Sequence, residues 1–202
     1  MLSPFNMEKL TALVSDFDDT LFFNRSAIVS AAEDLYSIIE REKESDEDCK
    51  AMSDLEVTAK EGRIPKGFSG KWKNQLYTFA YAKYNDKLSP NNFLINYLNQ
   101  RVTQGDKLII LSARGEEFRK QTEGLLNRYG VKYDEVILPE NHRLKDEEWK
   151  LMEIENLIKK YSHLALFEDK FENMQYIANG LRVEKDVVEF YLVNHSGLTR
   201  II

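Results

Sequence analysis

Five short apolar runs constrain this chain most, because segments with helical spacing lie between them. They are residues 11–17 (TALVSDF), 107–111 (KLIIL), 134–138 (DEVIL), 163–167 (HLALF) and 187–193 (VVEFYLV). Their length and β-branched content favour strands over helices. Between them, residues 116–129 place Phe118, Leu125, Leu126 and Tyr129 on one side and stop at Gly130. Residues 146–161 align Leu151, Ile154, Leu157, Ile158 and Tyr161, and residues 171–178 align Phe171, Met174 and Ile177 before Gly180. Strand alternating with helix implies parallel pairing with helices on both faces, so a three-layer α/β core with a parallel sheet is expected.

Residues 26–100 break that rhythm. They open on an amphipathic helix (Ile28, Ala31, Leu35, Ile38, Ile39) in which Ser30 and Glu33 fit a capping box at the first turn. An acidic segment follows, then a loop with Gly62, Pro65, Gly67 and Gly70. A basic and aromatic helical region spans 72–84, and Ser89-Pro90 opens a third helix. With 202 residues, of which 43% are hydrophobic, the chain has room for one core and a smaller insertion. The expected division is therefore a core of residues 1–25 and 101–202 with a strand-free helical insertion at 26–100. The two glycines around Lys71 do not make a phosphate-binding P-loop, because the spacing is wrong and no Ser or Thr follows the lysine.

Asp16-Phe17-Asp18-Asp19-Thr20 stands directly after the first strand. Where the strand ends and turns, Asp16 and Asp18 can converge on one site. Two carboxylates at an open sheet edge repel each other unless a hard cation lies between them. That edge is also where open α/β sheets bind ligands. Ser112 ends the second strand, where its hydroxyl can reach a phosphate oxygen or cap the following helix, and Arg114 offers a planar fork. Glu168 and Asp169 end the fourth strand, and Asn173 lies one helical turn on. A phosphate among so many carboxylates calls for a lysine. Lys150, Lys145 and Lys170 are the candidates, with Lys150 preferred for its place in the first turn of a helix.

Other chemistries are less well supplied. His142, His163 and His195 have no metal-ligand spacing, which argues against zinc, and the single Cys49 excludes a disulfide framework. No apolar run reaches the length of a membrane span, and residues 1–7 lack the pattern of a secretion signal, so a cytoplasmic setting is expected. The net charge of −6 argues against non-specific coating of nucleic acid but not against a local basic groove.

DFDDT, a strand ending in Ser112, a lysine, and Glu168-Asp169 with Asn173 follow the order of the four motifs of the haloacid dehalogenase superfamily, which the chain resembles from Leu13 to Asn173. It departs from the usual pattern at Asp19 and Ala113, where glycine is common, and in having no proline after the lysine. The resemblance implies a Rossmann-like core with a helical type-one cap. It further implies a Mg²⁺-dependent phosphatase in which Asp16 is the nucleophile and Asp18 the general acid and base. Mg²⁺ would be held by Asp16, the Asp18 carbonyl and Asp169. Ser112 and Lys150 would hold the phosphoryl oxygens, with Thr20, Arg114, Glu168 and Asn173 around them.

The expected substrate is a small phosphorylated metabolite such as a nucleotide or sugar phosphate. The alternative is a nucleic-acid end, since the 149–173 region is also similar to the phosphatase domains of polynucleotide repair. Lys66, Lys71, Trp72, Lys73, Tyr77, Tyr81, Lys83, Tyr84 and Lys87 interleave bases and aromatics, either as a stacking surface or as helix packing with solvated lysines. A phosphotransferase and a non-catalytic binding protein are the more distant alternatives.

Overall fold

The computed structural model describes residues 11–42, 45–68, 70–141, 143–182, 187–194 and 197–201. His142, His195, Ser69 and residues 1–7 lie outside them. The chain divides into two compact units, one formed by residues up to Leu21, Asn91–Arg119 and Leu126 onward, the other by Phe22–Pro90 and Lys120–Leu125.

The first unit is built on a six-stranded sheet. Its strands are β1 (Thr11–Ser15), β4 (Lys107–Leu111), β5 (Glu135–Ile137), β6 (His163–Glu168), β7 (Val188–Asn194) and β8 (Gly197–Arg200). The order is β5-β4-β1-β6-β7-β8, all parallel except β8, which pairs antiparallel with β7 at one edge. β1 is central, and Ala12, Leu13 and Val14 are wholly buried. Side chains alternate across the pleat. Ala12, Val14, Ile109, Leu111, Leu164 and Leu166 pack in one cluster with Trp149, Ile154 and Leu157 of α6 (Asp146–Ile158) and Met174 and Ile177 of α7 (Phe171–Gly180). On the other face Phe167 meets Tyr97 of α4 (Asn92–Thr103) edge to face at 6.0 Å. The three layers expected from the sequence are present. β8 was not expected, and the expected 116–129 helix is a 3₁₀ turn at Glu116–Phe118 followed by α5 (Arg119–Arg128).

The second unit is mainly helical. α1 (Arg25–Glu42) buries Ala27, Ile28, Ala31, Ala32, Leu35 and Ile39. Ser30 lies inside this helix, so the capping box expected there does not exist. A capping box occurs instead at α2 (Asp46–Glu61), where the Ser45 side chain accepts from the Asp48 N–H and the Asp48 carboxylate accepts from the Ser45 N–H. α2 ends at Gly62, whose φ of 68° needs a residue tolerant of the left-handed region. α3 (Gly70–Thr78) runs into a π-helical turn at Phe79–Lys83. Residues 26–100 are not free of strand: Ser89–Pro90 forms β3, which pairs antiparallel with β2 (Phe22–Phe23) rather than starting a helix.

Candidate active site

The backbone ladder extends one residue beyond β1, because the Asp16 N–H donates to the Phe167 carbonyl at 2.9 Å. The chain then turns through Asp19, the one non-glycine residue with positive φ (58°) among those described. Asp is one of the few side chains that tolerate this conformation. Asp16 is thereby left at the carboxyl edge of the sheet, beside the end of β6. Carboxylate oxygens of Asp16, Glu168 and Asp169 all lie within 4.8 Å of one another.

Lys150 organises this cluster. Its ammonium donates to Asp16 Oδ1 and to Glu168 Oε2, both at 2.8 Å, and lies 3.3 Å from Asp146 Oδ1. The side chain is almost completely buried (1% exposed). Burial alone would lower its pKa, but Asp16, Glu168 and Asp146 hold it well above the usual lysine range. Glu168 is satisfied on both oxygens, since Oε1 accepts from the Lys170 N–H at 3.2 Å. Asp16 and Asp169 are less well compensated. Thr20 Oγ1 lies 3.3 Å from both Asp16 Oδ2 and Asp169 Oδ1, but one neutral hydroxyl proton cannot serve two anions. Burial, opposed by Lys150 and reinforced by Glu168, pushes Asp16 up to about 7. Burial and the charge of Asp16 push Asp169 up to about 6.

Two under-compensated oxygen ligands fit a hard divalent cation, which binds carboxylates and would relieve both shifts. The sign follows from linkage. Without a cation, raised carboxylate pKa values make the fold less stable as pH climbs from about 4 to 7. A divalent cation held there would offset that loss by displacing the protons. At a Mg²⁺ concentration about 100 times Kd, stabilisation of about 2.7 kcal/mol is expected near pH 7.5. The gain should shrink steadily toward pH 5.5, where both carboxyls keep their protons. Thermal unfolding with Mg²⁺ or EDTA across that range is the check, and a gain indifferent to pH would contradict it.

Neither a protein-family model nor a curated protein matches the sequence. Solved structures do match. A chain of the Pnkp1/Rnl/Hen1 RNA repair complex aligns with 96% of this chain at 19% identity and a TM-score of 0.56. This chain spans under half of that one (45%). A haloacid dehalogenase-like family hydrolase from Streptococcus pneumoniae matches over 91% of this chain and 84% of its own, at 11% identity and a TM-score of 0.58. The fold is that of the haloacid dehalogenase-like hydrolases. A further hydrolase from Streptococcus pneumoniae TIGR4 aligns over 92% and 94% of the two chains, at 15% identity and a TM-score of 0.51.

Within this haloacid dehalogenase-like fold the residues singled out in the sequence fall into two groups. Asp16, Thr20, Lys150, Glu168 and Asp169 form one connected cluster. Lys150 opens the second turn of α6 rather than lying in the first, while Lys145 is an exposed residue preceding the helix. Lys170 is largely exposed, with its ammonium 3.7 Å from Asp146. Asp18 turns toward Arg114 instead. The guanidinium forks onto both its carboxylate oxygens at 2.8 and 2.7 Å and lies 4.3 Å over the Phe17 ring. Ser112 is buried and its Oγ accepts the Arg114 N–H at 3.3 Å. Asn173 donates to Asp146 Oδ2 at 3.1 Å, not to the carboxylates of the two strand ends.

Asp146 is the contributor that sequence reasoning missed. It begins α6 and contacts Lys150, Lys170 and Asn173. Its position four residues before Lys150 was the available signal, since side chains at that spacing share a helix face.

The Arg114 fork carries a stability expectation. Its guanidinium is wholly buried, while Asp18 keeps 19% of its side-chain exposure. Arg114→Ala should cost about 2 kcal/mol, below the 3–5 typical of a fully buried broken pair, because water can solvate the Asp18 left behind. Urea unfolding measures this, and a loss under about 0.5 kcal/mol would show the fork to be incidental.

Proposed function

We propose that this protein is a Mg²⁺-dependent phosphomonoesterase working through an aspartyl-phosphate on Asp16. The observation that carries the reading is the placement of Asp16 at the end of β1, held by a buried lysine and facing the under-compensated Asp169. A carboxylate fixed by Lys150 on one oxygen is oriented to attack phosphorus with the other. Its oxygen forms the new P–O bond as the bond to the leaving oxygen breaks, and Asp18 donates the proton that this oxygen needs. Water then attacks the phosphorus of the aspartyl-phosphate, giving its proton to Asp18, and inorganic phosphate departs as Asp16 is regenerated. For the first step Asp18 must carry a proton, so the Arg114 fork has to loosen when substrate binds. Lys150 and Ser112 hold phosphoryl oxygens through both displacements. Asp16, Asp169 and the Asp18 carbonyl would hold Mg²⁺, which when bound screens the charge between the nucleophile and the phosphate. A cap role for the helical unit belongs to this proposal too.

Asp146 acts in this scheme through Lys150. Asp146→Asn keeps the shape and a hydrogen-bond acceptor for Asn173, so folding should change by only about 1 kcal/mol. Phosphate release should fall at least about tenfold, because a 1.4 kcal/mol loss of orientation is already that large. Unchanged release in this variant would detach Asp146 from the chemistry.

Two substrate classes remain in play. Net acidity favours a small phosphorylated metabolite, and likeness to a chain of an RNA repair complex favours a nucleic-acid end. The deciding experiment is a Mg²⁺-dependent phosphate-release screen over small phosphomonoesters and 3′- and 5′-phosphorylated oligonucleotides. Release that chelation abolishes supports the reaction and names the substrate. Silence from folded, Mg²⁺-supplied protein rejects it.

A further inference from the structure

The helical unit is electrically divided along its sequence. Residues 63–87 hold six Lys or Arg and one acid, Asp86, in a chain whose net charge is −6. Residues 33–61 of the same unit hold eleven acids and four bases. Averaged over the chain the basic segment disappears, which is why net charge alone argues against a polyanionic partner. Locally the positive charge is concentrated on one continuous stretch, the loop before α3, α3 itself and the turns after it.

The arrangement of that stretch is specific. Lys73, Tyr77 and Tyr81 stand at successive four-residue intervals, so they form one row. The Lys73 ammonium lies 5.9 Å from the Tyr77 ring centre, and the Tyr77 and Tyr81 rings stack at 5.4 Å with planes 20° apart. Lys71 lies 4.2 Å over the Trp72 ring, which is itself buried and takes no part in that row. Lys66, Lys71 and Lys73 are exposed, and among the described residues no carboxylate forms an ion pair with them. Lys83, by contrast, is paired with Asp34 and adds little.

We infer that this segment docks single-stranded nucleic acid along the row of Lys73, Tyr77 and Tyr81, with Lys66 and Lys71 adding positive charge on its flanks. Phosphates of a strand attract the exposed ammoniums, and the half-buried Tyr77 and Tyr81 pair puts aromatic surface beside them for unstacked bases. An extended single strand offers both groups in alternation, whereas a duplex hides its bases and a lipid surface offers none. The interaction is a property of the helical unit alone. Extending it to catalysis, which rests on the phosphomonoesterase reading, makes the substrate a terminal phosphate on a single strand.

The test uses the full chain and a fluorescent twelve-nucleotide oligo(dT) without terminal phosphate, titrated by anisotropy at several salt concentrations. Wild type should bind, and Lys66→Glu/Lys71→Glu/Lys73→Glu should weaken binding at least about tenfold. Loss of three phosphate contacts should also flatten the salt slope by about 2. Tyr77→Ala should weaken binding with the slope retained. Lys50→Glu/Lys60→Glu, exposed on α2, should bind like wild type. Hydrolysis of p-nitrophenyl phosphate is followed in parallel and should be the same in the triple variant as in wild type. With 3′-phosphorylated oligo(dT) the triple variant should show a raised KM and an unchanged kcat. No binding by wild type, equal binding by the triple variant, or binding only to phosphatidylserine vesicles through the same lysines overturns the inference. Oligonucleotide binding without any phosphate release rejects the catalytic reading and leaves the docking surface standing.

Discussion

Asp16→Asn is expected to abolish phosphate release, by on the order of 10³-fold or more, while leaving the protein no less stable at pH 8. The two effects have one cause. Three carboxylates, Asp16, Glu168 and Asp146, face a single buried ammonium on Lys150, and burial already pushes Asp16 up to about 7. Above that pH the fold has to hold a charge that its surroundings resist. Asparagine keeps the size and an oxygen able to accept from Lys150, yet brings no charge, so the local excess falls. It cannot form an aspartyl-phosphate, and it weakens the Mg²⁺-dependent gain in Tm. Phosphate release measured against wild type, with thermal unfolding at pH 8 in EDTA, separates these outcomes. Release within tenfold of wild type would remove Asp16 from the nucleophile's place. A Tm several degrees lower would mean that the carboxylate contributes to stability rather than opposing it.

Much of this site was legible because it follows from strand ends. Residues 11–17 and 163–167 read as buried strands from their apolar content, and the carboxylates at their ends could only lie at one edge of a parallel sheet. Lys150 was preferred to Lys145 for a place in the first turn of its helix, but it opens the second turn, and what draws it inside is the packing of Trp149, Ile154 and Leu157 into the core. Asp146 escaped because Asp146, Glu147 and Glu148 read as the acidic first turn common to helices, and composition does not distinguish a dipole partner from a lysine clamp. The partner of Arg114 was equally hidden, since a guanidinium fork suits a phosphate and a carboxylate alike. α2 was missed because its buried face is thin, only Ala51, Leu55 and Thr58, under a run of charge that resembles a loop. β8 is four residues with two exposed, too short for an alternation to register.

Lys150→Met should have the largest effect on folding, a loss of about 3–5 kcal/mol. Methionine fills much of the volume, so a cavity is not the reason. What remains is a buried cluster of Asp16, Glu168 and Asp146 with no internal cation, each anion deprived of the charge that justified its burial. If repulsion is the cause, removing one of those charges should restore stability even though the lysine is still absent. Lys150→Met/Glu168→Gln should therefore recover part of the loss, with a coupling of about 1–3 kcal/mol between the two sites. Glu168 is the right partner to neutralise, because it is wholly buried and would face the lost ammonium directly, whereas Asp146 is partly open to solvent. Catalysis should not recover, since no ammonium remains to hold the phosphoryl oxygens. The double variant would then be a folded protein unable to release phosphate. Urea unfolding of the two single variants and the double, with phosphate release alongside, completes the cycle. A double variant no more stable than Lys150→Met would show that packing, not charge, ties this lysine to the fold, and regained activity would move the phosphate-binding role to another residue.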